Sequence, residues 1–119
     1  MAQYVDGFIV PVAKSKVKAY LALAKRASKL WKTHGALAYV ECQADDVKKG
    51  KWTSFPRAVK KKPTETVFFS WVTFKSRAHR DQVNKRVMKD PAFEEMFHDG
   101  YPFDGKRMIY GGFKTVVSV

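Results

Sequence analysis

The segment Thr66-Val-Phe-Phe-Ser-Trp-Val-Thr-Phe74 carries large apolar side chains at both odd and even positions. In a strand, Val67, Phe69 and Trp71 point one way, and Phe68, Ser70, Val72 and Phe74 the other. A strand with one wet face alternates apolar with polar, whereas one that is apolar on both faces needs cover on both. Tyr4 to Val12 behaves similarly, with Tyr4, Asp6, Phe8 and Val10 on one face and Val5, Gly7 and Ile9 on the other. Pro11 is expected to end this strand or mark an edge, since it has no N–H for a ladder. Any fold of this chain must therefore bring cover to two sides of a sheet.

The helices available for that purpose are few. From about Lys14 the apolar period becomes helical. Val17, Tyr20, Leu21, Ala24, Ala27, Trp31 and His34 form one stripe, with Lys18, Lys25, Lys29 and Lys32 opposite. Gly35 is the expected stop, because it takes a positive φ cheaply. Ala36 to Ala44 returns to strand, with Leu37, Tyr39, Glu41 and Gln43 on one face and Ala38, Val40 and Cys42 on the other. A long connection, Asp45 to Thr64, holds one helical turn capped by Ser54 with Pro56 inside it; connections of this length are often functional. Ser76 caps a helix running to about Lys89, and Asp90-Pro91 opens a short one. The last strand is expected over Lys106 to Val117, entered by an Asp104-Gly105 turn. Its Gly111-Gly112 pair suggests a bulge or a close approach to the backbone.

The order β-α-β-β-α-β predicts an α+β, ferredoxin-like subunit: four antiparallel strands with helices on one face. The uncovered apolar face predicts a homodimer joined through its sheets. With 119 residues the chain is read as one domain, 1–119. No apolar run approaches the ~20 residues of a membrane span. Met1-Ala-Gln-Tyr-Val-Asp has no basic and apolar leader pattern, and Cys42 stands alone. The expected setting is cytoplasmic, with no membrane partner.

Charge is the compositional anomaly: 23 Lys+Arg against 11 Asp+Glu, net +12. Lys14, Lys16, Lys18, Lys25, Arg26, Lys29 and Lys32 form one basic block; Lys48, Lys49, Lys51, Arg57, Lys60, Lys61 and Lys62 form another. Such a field attracts polyanions without specifying one. RNA-recognition domains share this strand order, but the third strand lacks their glycine-aromatic framework. Any nucleic-acid binding is expected to be non-specific. Three scattered histidines and one cysteine make no metal set, and Glu95 with His98 is only half of a di-iron pattern. Phosphate-loop, dinucleotide and nucleophile-elbow motifs are absent from the sequence. No metal or cofactor is expected.

Several segments together resemble the YbaA-like family, a bacterial family of unknown function in the dimeric α/β-barrel superfamily. They are Tyr4-Val-Asp-Gly-Phe8, His34-Gly-Ala-Leu37, Tyr39-Val-Glu-Cys42, Asp45-Asp-Val47, Thr53-Ser-Phe-Pro-Arg-Ala-Val59, Glu65, Phe69-Ser-Trp71 and Pro102-Phe-Asp-Gly-Lys-Arg-Met-Ile-Tyr-Gly-Gly-Phe113. The resemblance implies a homodimer whose sheets face each other, and no activity.

Four polar residues are candidates for catalysis. His34 stands at a helix end near Glu41. Asp6 and Glu41 are acids on otherwise apolar strands, where a carboxyl is either functional or paired. Lys106, Arg107 and Arg57 are the partners expected for such a pair, and Arg107 enters the last strand. Tyr20, Trp31, Phe69, Trp71, Tyr110, Gly111 and Gly112 are the expected walls of a ligand pocket. The expected function is a homodimeric small-molecule binder, or a cofactor-free enzyme, acting on a small aromatic or carbonyl compound. The alternatives are non-specific nucleic-acid binding through the basic helices and the Lys48–Lys62 loop, or a ligand-free interaction module.

Overall fold

A computed structural model describes residues 3–119, so the leader reading at Met1 and Ala2 lies outside the described residues. The elements are β1 (Tyr4–Ala13), α1 (Val17–Thr33), β2 (Ala38–Gln43), α2 (Phe55–Ala58), β3 (Glu65–Phe74), α3 (Arg77–Lys89), α4 (Pro91–Met96) and β4 (Ile109–Lys114), with a 3-10 turn at Lys14–Lys16. The strands form one antiparallel sheet in the order β2-β3-β1-β4. This is the expected ferredoxin-like arrangement.

Local chemistry sets the helix ends. The hydroxyls of Ser54 and Ser76 accept from the N–H groups of Arg57 and His79, and the Asp90 carboxylate accepts from Ala92. Gly35 takes φ of 113° just past α1. Tyr20, Ala24, Ala27 and Leu30 are the buried positions of α1. Leu21, expected in that stripe, is 38% exposed; it sits one residue, about 100°, round from Tyr20.

Pairing puts Val10, Val12, Phe68, Val72 and Phe74 on the face covered by the helices, where all five are buried. The other face carries Val5, Ile9, Val40, Phe69, Trp71, Ile109 and Phe113 by alternation and register. Helix α2 touches it through Phe55, stacked on Phe69 at 5.7 Å, and Val47 of the connection after β2 lies beside that pair.

The structure decides between the alternatives for Pro11 and for the glycine pair, and it corrects the extent of the last strand. Pro11 lies inside β1, paired with Val67, rather than ending it. It is tolerated because pairing with β4 stops at Ile9, leaving β1 a local edge beyond that point. The last strand is shorter than expected, and Arg107 lies in the turn that precedes it. Gly111-Gly112 makes no bulge: Tyr110, Gly111 and Gly112 face Phe8, Gly7 and Asp6 one for one. A Cβ at Gly112 would collide with the Tyr4 ring, so that glycine admits a close side-chain approach.

Candidate functional site

A cavity of about 400 Å³ lies between the helix-covered face of the sheet and the helices. Strands supply its floor through Asp6, Phe8, Val10, Tyr39, Glu41, Ser70 and Val72. Helix α1 contributes Tyr20, Leu23, Ala24, Ala27 and Trp31; α3 contributes Arg80, Asn84 and Met88. Phe93, Met96, Phe97, Phe103, Met108, Tyr110 and Gly111 complete the wall. The lining is mostly apolar with a few convergent polar groups, the usual constitution of a small-molecule site.

The polar groups form two networks. Glu41 is the centre of the first. Tyr20 donates its hydroxyl to Oε1 at 2.9 Å and Tyr39 donates to Oε2 at 3.2 Å. Burial pushes the Glu41 carboxyl above its ordinary range, against the hydrogen bonds that pull it down. Burial also raises both phenols, reinforced by the neighbouring carboxylate. Parity explains the placement: Glu41 lies opposite Ser70, which lies opposite Phe8, so all three share the covered face.

Asp6 is the centre of the second network. Arg80 donates from Nη1 to Oδ1 at 3.1 Å, and Asn84 from Nδ2 to Oδ2 at 3.4 Å. Asn84 in turn accepts from the Trp31 indole at 3.0 Å. Arg80 also reaches the Tyr4 hydroxyl at 3.4 Å and lies 4.9 Å from the Tyr4 ring centre. Desolvation raises the Asp6 carboxyl despite Arg80, which lowers it. The partner of Asp6 is thus Arg80, in place of the expected Lys106, Arg107 or Arg57.

The cavity brings together Asp6, Glu41, Tyr20, Trp31, Tyr110 and Gly111 from the expected set. The remaining candidates sit elsewhere. His34 bonds through Nε2 to Asp90 Oδ2 at 2.8 Å, tying the end of α1 to the start of α4. Arg107 bonds Glu65 bidentately at 2.8 and 2.6 Å, Asp104 at 2.8 Å and the Lys60 carbonyl at 3.0 Å. Phe69 and Trp71 stand on the uncovered face, 5.5 Å apart between ring centres. Gly112 is filled by Tyr4. Sequence reasoning missed Arg80 and Asn84; their signal is an i, i+4 polar pair flanking the apolar positions Val83 and Val87 of α3. Among the described residues no three His, Cys, Asp or Glu side chains gather as a metal set.

The chain matches the family described as "Protein of unknown function (DUF1428)" over residues 3–105. It belongs to that family. The "Uncharacterized protein YbaA" of Escherichia coli (strain K12) is 49% identical over 115 residues, 97% of each chain, and the same figures hold for that of Shigella flexneri. Solved structures extend the DUF1428 likeness to fold alone. A NIPSNAP family protein of unknown function from Agrobacterium tumefaciens superposes with TM-score 0.60 at 13% identity, over 95% of this chain and 87% of its own. A dimeric ferredoxin-like protein from an uncultured marine organism gives 0.56 at 9%, over 100% and 98%. No helix among the described residues is long and apolar enough to cross a membrane.

Proposed function

We propose that this protein binds a small aromatic molecule in the cavity between sheet and helices, and does so as a homodimer. The carrying observation is the cavity itself. About 400 Å³ of space remains where a core would ordinarily be packed solid, walled by aromatic side chains and holding a carboxylate that accepts from two phenols. The aromatic half of the expected ligand class has clear support, since Phe8, Trp31, Phe93 and Phe97 all line the space. A carbonyl oxygen has less to meet, because the two tyrosine hydroxyls already donate to Glu41.

Dimerisation rests on a different surface. The apolar face bearing Phe69, Trp71 and Phe113 is directed away from the cavity, so the partner covers the sheet without closing the site. Phe69 and Phe113 are 45% and 66% exposed in the single subunit. The dimeric character of the ferredoxin-like neighbour supports this pairing.

The test is a screen of aromatic fragments of roughly ten non-hydrogen atoms, a size such a cavity holds, read by the indole N–H resonance of Trp31. Fragments that shift it in the wild type and fail in Ala24→Leu, which fills the cavity from α1, support the reading. If no fragment moves the resonance at millimolar concentration, the cavity is not a binding site.

A further inference from the structure

Three charged side chains line the cavity, and two of them, Asp6 and Arg80, pair with each other. Arg80 is committed to Asp6 and Tyr4. Among the described residues Glu41 has no cation within salt-bridge distance; its partners are neutral hydroxyls, those of Tyr20 and Tyr39 foremost. A carboxylate withdrawn from water and given no counter-charge is costly to keep. It also has capacity to spare: an ionised carboxylate accepts about four hydrogen bonds and the phenols fill two. The lining is rich in aromatic side chains, whose faces attract an organic cation. The excess of basic residues stays outside. In a chain of net +12, the lining holds two carboxylates and one guanidinium.

We infer that the aromatic ligand carries a protonated amine, whose ammonium group is received by Glu41 while its apolar part lies against the aromatic wall. The inference rests on the ligand-binding reading above and narrows it. An anionic ligand would face Asp6 and Glu41, and the one guanidinium of the lining is already ion-paired with Asp6 and Asp81. A neutral alcohol of the same shape fits the walls but leaves the Glu41 charge unmatched. The exposed lysines oppose a cation only weakly, since salt screens exposed charges beyond about 8 Å. Burial raises the Glu41 carboxyl, and an ammonium in contact lowers it, so ionising Glu41 and binding the cation reinforce each other.

The experiment compares three molecules of one shape at neutral pH: 2-phenylethylamine, 2-phenylethanol and phenylacetate, followed by the Trp31 indole resonance. The amine should bind about tenfold tighter than the alcohol, as a charge-assisted contact does over a neutral one, and phenylacetate weakest. Glu41→Gln should bring the amine down to the level of the alcohol while leaving the alcohol unchanged. Tyr20→Phe keeps the charge and frees one carboxylate oxygen, so the amine preference persists there or grows. An alcohol or phenylacetate that binds as tightly as the amine overturns the inference and leaves the ligand-binding reading standing. So does an amine preference that survives Glu41→Gln or is lost in Tyr20→Phe. Failure of all three molecules to bind overturns the inference, and the fragment screen decides the ligand-binding reading separately.

Discussion

A carboxyl whose pKa is raised on folding stabilises the native state only while it is protonated. Glu41 is such a group: its contribution is fully present below the unfolded value near 4.5 and is lost as pH rises through the higher folded value. Ionised and without ligand, it destabilises the subunit. Glu41→Gln removes the titration and keeps a side chain that can bond both phenols. The melting temperature of that variant should match the wild type in acid and exceed it by a few degrees at neutral pH, as followed by circular dichroism across the window. A variant that melts lower at neutral pH would mean the carboxylate is a net structural asset there. Parity alone made Glu41 and Asp6 legible, since an acid in an apolar file of a strand stands out in the sequence. Parity says nothing of contacts between distant segments. His34 finds Asp90 fifty-six residues away and Arg107 finds Glu65 forty-two residues away, so two residues expected at a site are each bonded into the scaffold. Arg80 escaped notice because α3 is polar round most of its circumference, and its sheet-facing side is set only by tertiary packing.

Elements were readable where their period was strong and their caps explicit. The Ser54, Ser76 and Asp90 caps stand as their spacing implies. Strand ends were less readable, because hydrogen-bond partners rather than side chains decide where a ladder stops. Beyond Lys114 the apolar Val116 and Val117 lie outside β4 and are largely exposed. The turn before β4 is held by Arg107, which joins the start of β3 through Glu65 to the Val59 and Lys60 carbonyls, where the chain takes φ of 50° at Lys60. Arg107 and the Lys62 N–H keep the Glu65 carboxyl below its usual value. A depressed carboxyl contributes stability above the unfolded pKa and loses it as pH falls through the folded one. Arg107→Gln should therefore cost about 2 kcal/mol at neutral pH, the scale of hydrogen bonds to a charged group. The deficit should shrink as pH falls from the unfolded value near 4.5 through the lower folded one, below which Glu65 is protonated in both states. Urea titrations at neutral and acid pH measure the difference; an equal deficit at both would show that Arg107 acts by packing alone. Amine binding in the cavity should be unaffected, because Arg107 lies outside it.

The molecule as a whole is a slab, with Cα extents of 38 × 38 × 21 Å. A compact monomer of 13.6 kDa exposes about 6,600 Å² by the usual size scaling, whereas this subunit exposes 8406 Å². The bare sheet contributes to that surface, beside the connection around Trp52 and the tail from Val116. Helices cover one face of the sheet, and the other carries Val5, Ile9, Phe69, Trp71, Ile109 and Phe113, with open space above Gly7. That both faces are apolar was plain from Thr66 to Phe74 in the sequence. That the cavity lies on the face opposite the proposed partner was not, because apolar alternation marks two faces without saying which one the helices take. Pairing of two subunits through the bare face should bury on the order of 2,000 Å² in total, as stable homodimers do. Sedimentation at micromolar concentration should give a dimer for the wild type and a folded monomer for Phe69→Glu, whose charge falls on a surface already exposed in the subunit. A wild-type monomer would overturn the proposed pairing. Because the cavity opens on the other side of the sheet, the Phe69→Glu monomer should still bind 2-phenylethylamine within about threefold of the dimer, the coupling expected when no ligand contact crosses the interface. Loss of binding on dissociation would instead show that the partner shapes the site through the sheet.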